Sequence, residues 1–550
     1  MREQLERLGV KRLLLAIHDV SFPSDPDEDI GRGSPVTRAA GRLYDYLAAL
    51  GFTGIQLGPQ GQTARSNPSP YDGTIFSRHL GNIALGSLRG LVADASLERA
   101  LYRGERADPA HAYDVMHALV AEAYARMSPE LRARVAAFRA ANPWVESDAL
   151  HAALCESYGG RGYRDWPARD RDPRTASATG HDDAIERYCL GQLLVHEEHA
   201  RLRARLPLLL YGDLQVGYSD ADAWAHQHTF LPGWLIGAPP SRTNPEGQPW
   251  GYPVLDPDNP ASLALVVARA EKALADYDSL RIDHPHGLVC PWVYRADDPD
   301  AMAAVRAGSR LHESPDRADL ARYAIARLPQ LDRAWPRHAD GWVRTLDDDQ
   351  VARYARYIDP IVERARSELS CEVLSTMPTP LERVLARHRL GRWRVTQKAD
   401  LDNPHDVYRT ESVNPADWLM LGNHDTAPIL VVIASWSAAK REQWARHLAS
   451  RLRLADPARL ASDGFLATCM LAELFISRAE NVQIFFADLF GYTERFNVPG
   501  LVAPTNWTLR LPPDFASLHA ARLAEGRALD LPLAVDLALS SGECGSFTSS

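Results

Sequence analysis

RLLLAIHD (residues 12–19) is a strand-length apolar run that ends in a polar pair. Segments of the same design recur along the chain: FTGIQLGP (52–59), PLLLYGDLQV (207–216), YDSLRIDH (277–284), CEVLS (371–375), WRVTQ (393–397), LGNHDT (421–426) and VQIFFADLFG (482–491). Between them, apolar residues recur at three- and four-residue spacing at 36–50, 261–275, 350–368, 380–388, 434–453 and 464–478, which predicts helices. Strands alternating with helices predict a parallel sheet. Eight such strands, each with polar residues at its C-terminal end, predict an α/β fold, the (β/α)8 TIM barrel, whose site is built at that face.

The chain has 550 residues, which at about 150 residues per domain suggests three or four units, although a single barrel can run longer. The uneven strand spacing favours one barrel with additions. The gap at 86–206 carries helical patterns at 112–140 and 183–205 around a polar stretch, SYGGRGYRDWPARDRDPRTASATGHDD (157–183), and reads as a helical insertion. GAPPSRTNPEGQPWGYP (237–253) reads as a long active-site loop. Its Pro and Gly hinges suit a lid that excludes water, with Trp250 as a stacking platform. The organisation expected is a barrel over 1–515, interrupted by 86–206 and 237–253, with a C-terminal extension over 516–550 that ends in a frayed SSGECGSFTSS.

Composition narrows the function classes. Hydrophobic residues make up 45% and charged residues 24%, values of an ordinary globular protein that disfavour disordered, collagen-like and membrane classes. Net charge is -10, from 61 basic and 71 acidic residues, which argues against nucleic-acid and anionic-membrane partners. Lys11, Lys272, Lys398 and Lys440 are the only lysines, a bias that reads as arginine codon usage. The six cysteines stand singly, with no CxxC pair, so a reducing compartment fits better than a disulfide framework. The N-terminus lacks signal-peptide architecture, and no run of about 18 apolar residues is present. A soluble, cytoplasmic protein is expected. No GxGxxG, P-loop or GxSxG sequence occurs, and no cofactor is expected.

In YDSLRIDH, period-two alternation puts Leu280 and Ile282 on one face and Arg281 with Asp283 on the other. Taken alone, the charged pair serves equally well as a polar layer of the barrel core. Two further carboxylates, Glu372 and Asp425, also fall at the ends of later strands, and this favours a site. Three acids meeting at one rim repel unless one holds a proton, which is the condition for acid/base work on a glycosidic bond. Arg281 would keep Asp283 ionised for attack on an anomeric carbon. Glu372 lies between Cys371 and the apolar Val373 and Leu374, neighbours that suit a carboxyl with raised pKa and hence a proton donor.

Beyond these residues, the chain carries GIQLGPQG followed by SPYDGTIFSRHLGN, GDLQVGYSDADAWA, GAPP followed by GQPWGYP, RIDH, GNHDT, and ERFNVPG followed by NWTLR. In their order and spacing, from about residue 12 to 511, these resemble the 4-alpha-glucanotransferases of the amylomaltase or disproportionating-enzyme family, glycoside hydrolase family 77. The pieces SDALHAALCESYGG and DWP resemble that family's insertion. The resemblance implies Asp283 as nucleophile, Glu372 as general acid/base and Asp425 as transition-state stabiliser. It also implies sugar contacts at Ser69, Tyr71, Asp213, Gln248, Trp250, Arg281, His284, His424 and Asn497. The substrate it implies is an alpha-1,4-glucan or maltooligosaccharide, with no cofactor and no metal.

Departures from the family pattern are local. Val373, Leu374 and Ser375 follow Glu372 where the family has an acidic residue and Leu-Gly. Tyr252 stands for Asn, Arg242-Thr243 for an aromatic-Ser pair, Thr426-Ala427 for Asn-Asp, and Ala487 for Gln before Asp488. Three functional readings remain: glucan transfer, hydrolysis or transfer with another donor, and a silent glucan-binding barrel.

Other clusters are weaker. His284 and His286 in HPH lack a spaced third ligand and read as substrate-contacting or structural. HEEH (196–199) lacks the spacing of HExxH and reads as a solvated helix face. SDPDEDIGRG (24–33) reads as a solvated loop rather than a calcium site.

Overall fold

The computed structural model describes residues 1–241, 244–501 and 503–542. Among these, twelve strands are β1 (Arg12–Ile17), β2 (Gly54–Leu57), β3 (Leu209–Leu214), β4 (Phe230–Ala238), β5 (Gln248–Leu255) and β6 (Ser279–Ile282), then β7 (Trp292–Arg295), β8 (Ser309–Arg310), β9 (Ser370–Cys371), β10 (Trp393–Val395), β11 (Trp418–Met420) and β12 (Asn481–Phe485). Eight of them form one parallel sheet in the order β10-β11-β12-β1-β2-β3-β6-β9. A parallel bridge between Cys371 and Arg392 joins its two edges, giving the (β/α)8 barrel. Leu13, Leu14, Leu15 and Ile17 are fully buried, as expected of strands covered on both faces. β2 opens on Gly54 because its neighbours press close: a Cβ there would lie 2.7 Å from the Leu209 carbonyl oxygen and 2.8 Å from Leu14 Cδ2.

Seven of the eight predicted barrel strands lie where the runs place them, within a few residues. The seventh differs. LGNHDT is not a strand but the loop leaving one, and the strand is Trp418–Met420, paired with β10 and β12. Gly422, Asn423 and His424 make a turn in which Thr426 Oγ1 accepts from the Asn423 N–H at 2.9 Å. That polar closure is incompatible with an extended chain.

Several helices are shorter than the periodicity suggests. The pattern at 112–140 is two helices, Pro109–Ala125 and Pro129–Ala141. Ser128 caps the second through the Leu131 N–H, and Pro129 has no N–H with which to continue the first. The pattern at 350–368 likewise divides into Asp348–Ala355 and Asp359–Arg364, whereas that at 434–453 is one helix, Ala438–Arg451, preceded by a separate short one at Ile429–Ala434. A further helix, Trp144–Ser157, lies in SDALHAALCESYGG.

The helices between β2 and β3 enclose their own apolar cluster, including Met116, Leu119, Val145, Leu190 and Leu194. The long helix Asp182–Arg205 connects it to the barrel, where its Leu202 joins the main core. This placement overturns the reading of HEEH as a solvated face. Glu198 and His199 are buried, and His199 Nε2 meets the Asp276 carbonyl at 2.8 Å. SDPDEDIGRG is also not simply solvated: Asp25 pairs with Arg42 and buried Asp29 with Arg510 at 2.7 Å.

A second sheet, antiparallel and ordered β5-β4-β7-β8, stands over the C-terminal side of the barrel. Its strands β4 and β5 form a hairpin, so the 237–253 segment is a loop only at its tip. Arg242 and Thr243 of that tip lie outside the described residues, as do the last eight residues of the tail. Among the described residues after 514 the chain forms two helices, Phe515–Ala524 and Leu531–Ser540. Ala534, Val535 and Ala538 are fully buried in the main core.

Candidate active site

Strand register brings the charged lumen residues together. β3 pairs with β6 so that Asp213 lies beside Arg281, and β6 pairs with β9 so that Ile282 lies beside Cys371. One residue beyond these pairs, Asp283 and Glu372 emerge side by side at the C-terminal rim. Their carboxylate oxygens lie within 4.8 Å of each other. Arg281, 1% exposed, sits beneath them. Its Nη2 donates to Asp283 at 3.0 Å and to Glu372, its Nη1 donates to Asp213 and to the Tyr71 hydroxyl at 3.3 Å, and its plane lies over the Trp393 ring.

The two rim carboxyls have opposite fates. Burial works to raise Asp283, but Arg281 and the hydrogen bond from His284 outweigh it and hold the carboxyl well below the usual range. Its other oxygen accepts from the Val216 N–H at 3.0 Å. For Glu372, burial reinforced by the Asp283 charge prevails over Arg281 and His284 and pushes it up to about 7. One ionised carboxylate and one proton-holding carboxyl therefore stand close together, with oxygens within 4.8 Å of each other, nearer than the separation of about 6.5–9.5 Å that leaves room for a water between an inverting pair. Burial also raises Asp213 to about 7, against the pull of Arg281.

His284 follows Asp283 in the left-handed region, φ 40°, a conformation uncommon outside glycine. The turn aims Nδ1 at Asp283, 2.9 Å, and Glu372, 3.5 Å. Although burial opposes its charge, these carboxylates push it up to about 9. Asp283, His284 and Glu372 could together ligate a cation in principle. Arg281 already supplies positive charge at both carboxylates.

Across the cleft, half-buried Asp425 accepts from Asn497 Nδ2 at 2.7 Å. His424 stacks on Tyr71 with ring centres 5.3 Å apart, and its Nε2 meets the Tyr71 hydroxyl at 3.0 Å. Trp250 Nε1 donates to Gln248 Oε1 at 3.1 Å, and the Trp250 ring meets His284 edge-on. Ten of the twelve expected residues, namely Ser69, Tyr71, Gln248, Trp250, Asp283, His284, Glu372, His424, Asp425 and Asn497, line one cleft of about 930 Å³. Asp213 and Arg281 lie beneath it. Aromatic faces alternating with carboxylates, amides and imidazoles suit a polyol with apolar ring faces.

Sequence reasoning passed over His18 and Trp507. His18 follows β1, is 4% exposed, and packs among Tyr71, His424, Phe496 and Trp507. Burial keeps it neutral. The signal was present, since RLLLAIHD ends in a polar pair just as YDSLRIDH does. Tyr252, one of the departures, donates to Asp72 at 2.9 Å and lies over Gly217, where a Cβ would come within 2.5 Å of its ring.

The 4-alpha-glucanotransferase family model, glycoside hydrolase 77, matches residues 17–516. The chain is 29% identical over 289 residues to the chloroplastic/amyloplastic 4-alpha-glucanotransferase of Oryza sativa subsp. japonica, a match covering 46% of this chain and 48% of that one. It is 27% identical over 312 residues to the 4-alpha-glucanotransferase of Thermus thermophilus, covering 52% and 61%. The chain thus spans roughly half the length of these curated relatives. Among solved structures, amylomaltase from Streptococcus agalactiae in complex with acarbose superposes with a TM-score of 0.74 at 17% identity, covering 94% of this chain and 100% of the other. Amylomaltase from Corynebacterium glutamicum gives 0.67 at 17% identity, covering 96% and 77%. These two show the fold.

Proposed function

Because the chain belongs to the 4-alpha-glucanotransferase family, we propose that it transfers alpha-1,4-glucan segments between maltooligosaccharides by a retaining double displacement. The observation that carries this reading is the paired rim, an ionised Asp283 within 4.8 Å of a Glu372 that holds its proton up to about pH 7. Asp283 attacks the anomeric carbon while Glu372 gives its proton to the scissile oxygen, and the shortened glucan leaves with a new hydroxyl. The anionic Glu372 then takes the proton from an incoming sugar 4-hydroxyl, whose oxygen displaces Asp283. Asp425, held by Asn497, faces the sugar hydroxyls and stabilises the oxocarbenium-like transition state. Stacking of Trp250 and Tyr71 on sugar faces, and hydrogen bonds from Ser69, Gln248, His284 and His424, fit the same reading. The β4–β5 hairpin is proposed as the element that shields the covalent intermediate from water. The five described cysteines are free, which supports a reducing, cytoplasmic setting.

Incubation with maltotriose tests the reading. Glucose plus maltodextrins longer than the substrate is expected. Glucose with only shorter products would replace transfer by hydrolysis, and binding without turnover would leave a silent barrel. The pH profile gives a second check. The first half-reaction needs Glu372 protonated, so kcat/KM is expected to fall tenfold per pH unit above about 7, the value for Glu372. Asp283, ionised far below that, contributes no acid limb near neutrality. A profile flat to pH 9 would remove Glu372 as the proton donor.

A further inference from the structure

The loop carrying His424 and Asp425 is fastened from below by groups that do not line the cleft. Asp488 follows β12, is 3% exposed and has no cation partner among the described residues. Its Oδ1 accepts from the Ile429 N–H at 2.7 Å, where the loop enters helix Ile429–Ala434. Its Oδ2 faces the loop's other end. A Cβ on Gly422 would lie 2.6 Å from Thr426 Oγ1 and 3.2 Å from both Asp488 Oδ2 and Gln397 Nε2. Polar side chains following three different strands thus converge where Gly422 has none.

The remaining bonds close the loop on itself. Thr426 Oγ1 accepts from the Asn423 N–H and donates to the Asn423 carbonyl at 3.1 Å, and Asn423 Oδ1 accepts from the Asp425 N–H at 3.1 Å. Gln397 Nε2 donates to the Ala427 carbonyl at 3.3 Å. Burial, opposed only by the Ile429 amide, pushes Asp488 up to about 7. The carboxyl is thus bonded to one end of the loop and stands close behind Gly422 at the other, and a buried polar group placed so is held by that loop as it holds it.

We propose that Asp488, together with Thr426, is a positioning residue for Asp425, fixing the 422–429 loop so that Asp425 stays opposite Asp283 and Glu372. This rests on the glucanotransferase reading, in which Asp425 touches the reacting sugar.

A double-mutant cycle tests the proposal. Asp488→Ala, Asp488→Asn and Thr426→Val are made in the wild-type and Asp425→Asn backgrounds, and kcat and KM are measured with maltosyl fluoride as donor and maltose as acceptor. In the wild-type background, Asp488→Ala and Thr426→Val are expected to lower kcat about tenfold, within the coupling range of groups that share a network. KM should change less than about twofold. In the Asp425→Asn background the same changes should cost less than about twofold in kcat, because their route is already cut. Asp488→Asn retains the Oδ1 acceptor and should recover most of the loss. Equal losses in both backgrounds, or a lowered melting temperature with unchanged kcat, would overturn the proposal. If Asp488→Ala does not fold, Thr426→Val, which leaves the Asp488–Ile429 bond intact, decides alone. Wild-type turnover is measured first. Its absence would refute the glucanotransferase reading, and the same cycle would then be read in the Kd for maltoheptaose, where additivity would overturn the positioning role.

Discussion

Asp283→Asn is expected to lower maltotriose disproportionation by about 10⁴-fold or more, the scale on which enzymes lose rate when a nucleophile is removed. The substitution preserves shape but leaves one acceptor oxygen where Asp283 has two, so it keeps either the bond from Arg281 or that from the Val216 N–H, and an amide cannot form the ester to the anomeric carbon. Glu372→Gln is expected to be comparably damaging with maltotriose yet to differ with maltosyl fluoride. Fluoride leaves without a proton, so the first half-reaction should recover in the Glu372 variant and a glycosyl-enzyme should accumulate, detectable by intact-protein mass. No such recovery is expected for Asp283→Asn. Equal recovery in both variants would exchange or dissolve the assigned roles.

Arg281→Met should have the second largest effect, and on stability as much as on rate. The guanidinium is the shared partner of Asp213, Asp283 and Glu372, and removing one partner of a buried ionic group costs about 3–5 kcal/mol. The sign of the pH dependence follows from the carboxyls left behind. Their folded pKa values rise above the unfolded ones, so the stability they retain is present at low pH and is lost as pH rises through the raised values. The deficit against wild type in urea unfolding is therefore expected to be greater at pH 8 than at pH 6. An acid limb should also enter the rate profile, because Asp283 loses the charge that keeps it ionised. A deficit independent of pH would mean that Arg281 serves by packing on Trp393 rather than by charge.

The barrel and the rim acids were legible because they follow rules of period and polarity. In LRID (280–283), alternation alone separates Arg281 and Asp283 from Leu280 and Ile282, and all four positions behave accordingly. What escaped depends on partners distant in sequence. LGNHDT has an apolar start, but Thr426 bonds back to Asn423 and bends it out of the sheet. QPWGYPVL becomes a strand only against Phe230–Ala238, and its Pro and Gly content disguises it as loop. His199 looked solvated because helix periodicity cannot reveal the barrel edge that covers it. The direction of the pair chemistry was legible too, since Arg281 beside Asp283 and the apolar neighbours of Glu372 already set the two carboxyls apart, but the part played by His284, which faces both, comes from three dimensions.

The parallel pairing of β1 with both β2 and β12 has a consequence for biosynthesis. Ribosomes deliver the residues between these strands at roughly 5–20 per second, so on the order of half a minute to a minute and a half separates the emergence of the first stave from that of its final neighbour. Throughout that interval one edge of an almost wholly apolar strand has no permanent partner, which is the condition under which nascent chains aggregate. Expression yield should therefore respond to translation speed and to chaperone supply more than to the stability of the finished barrel.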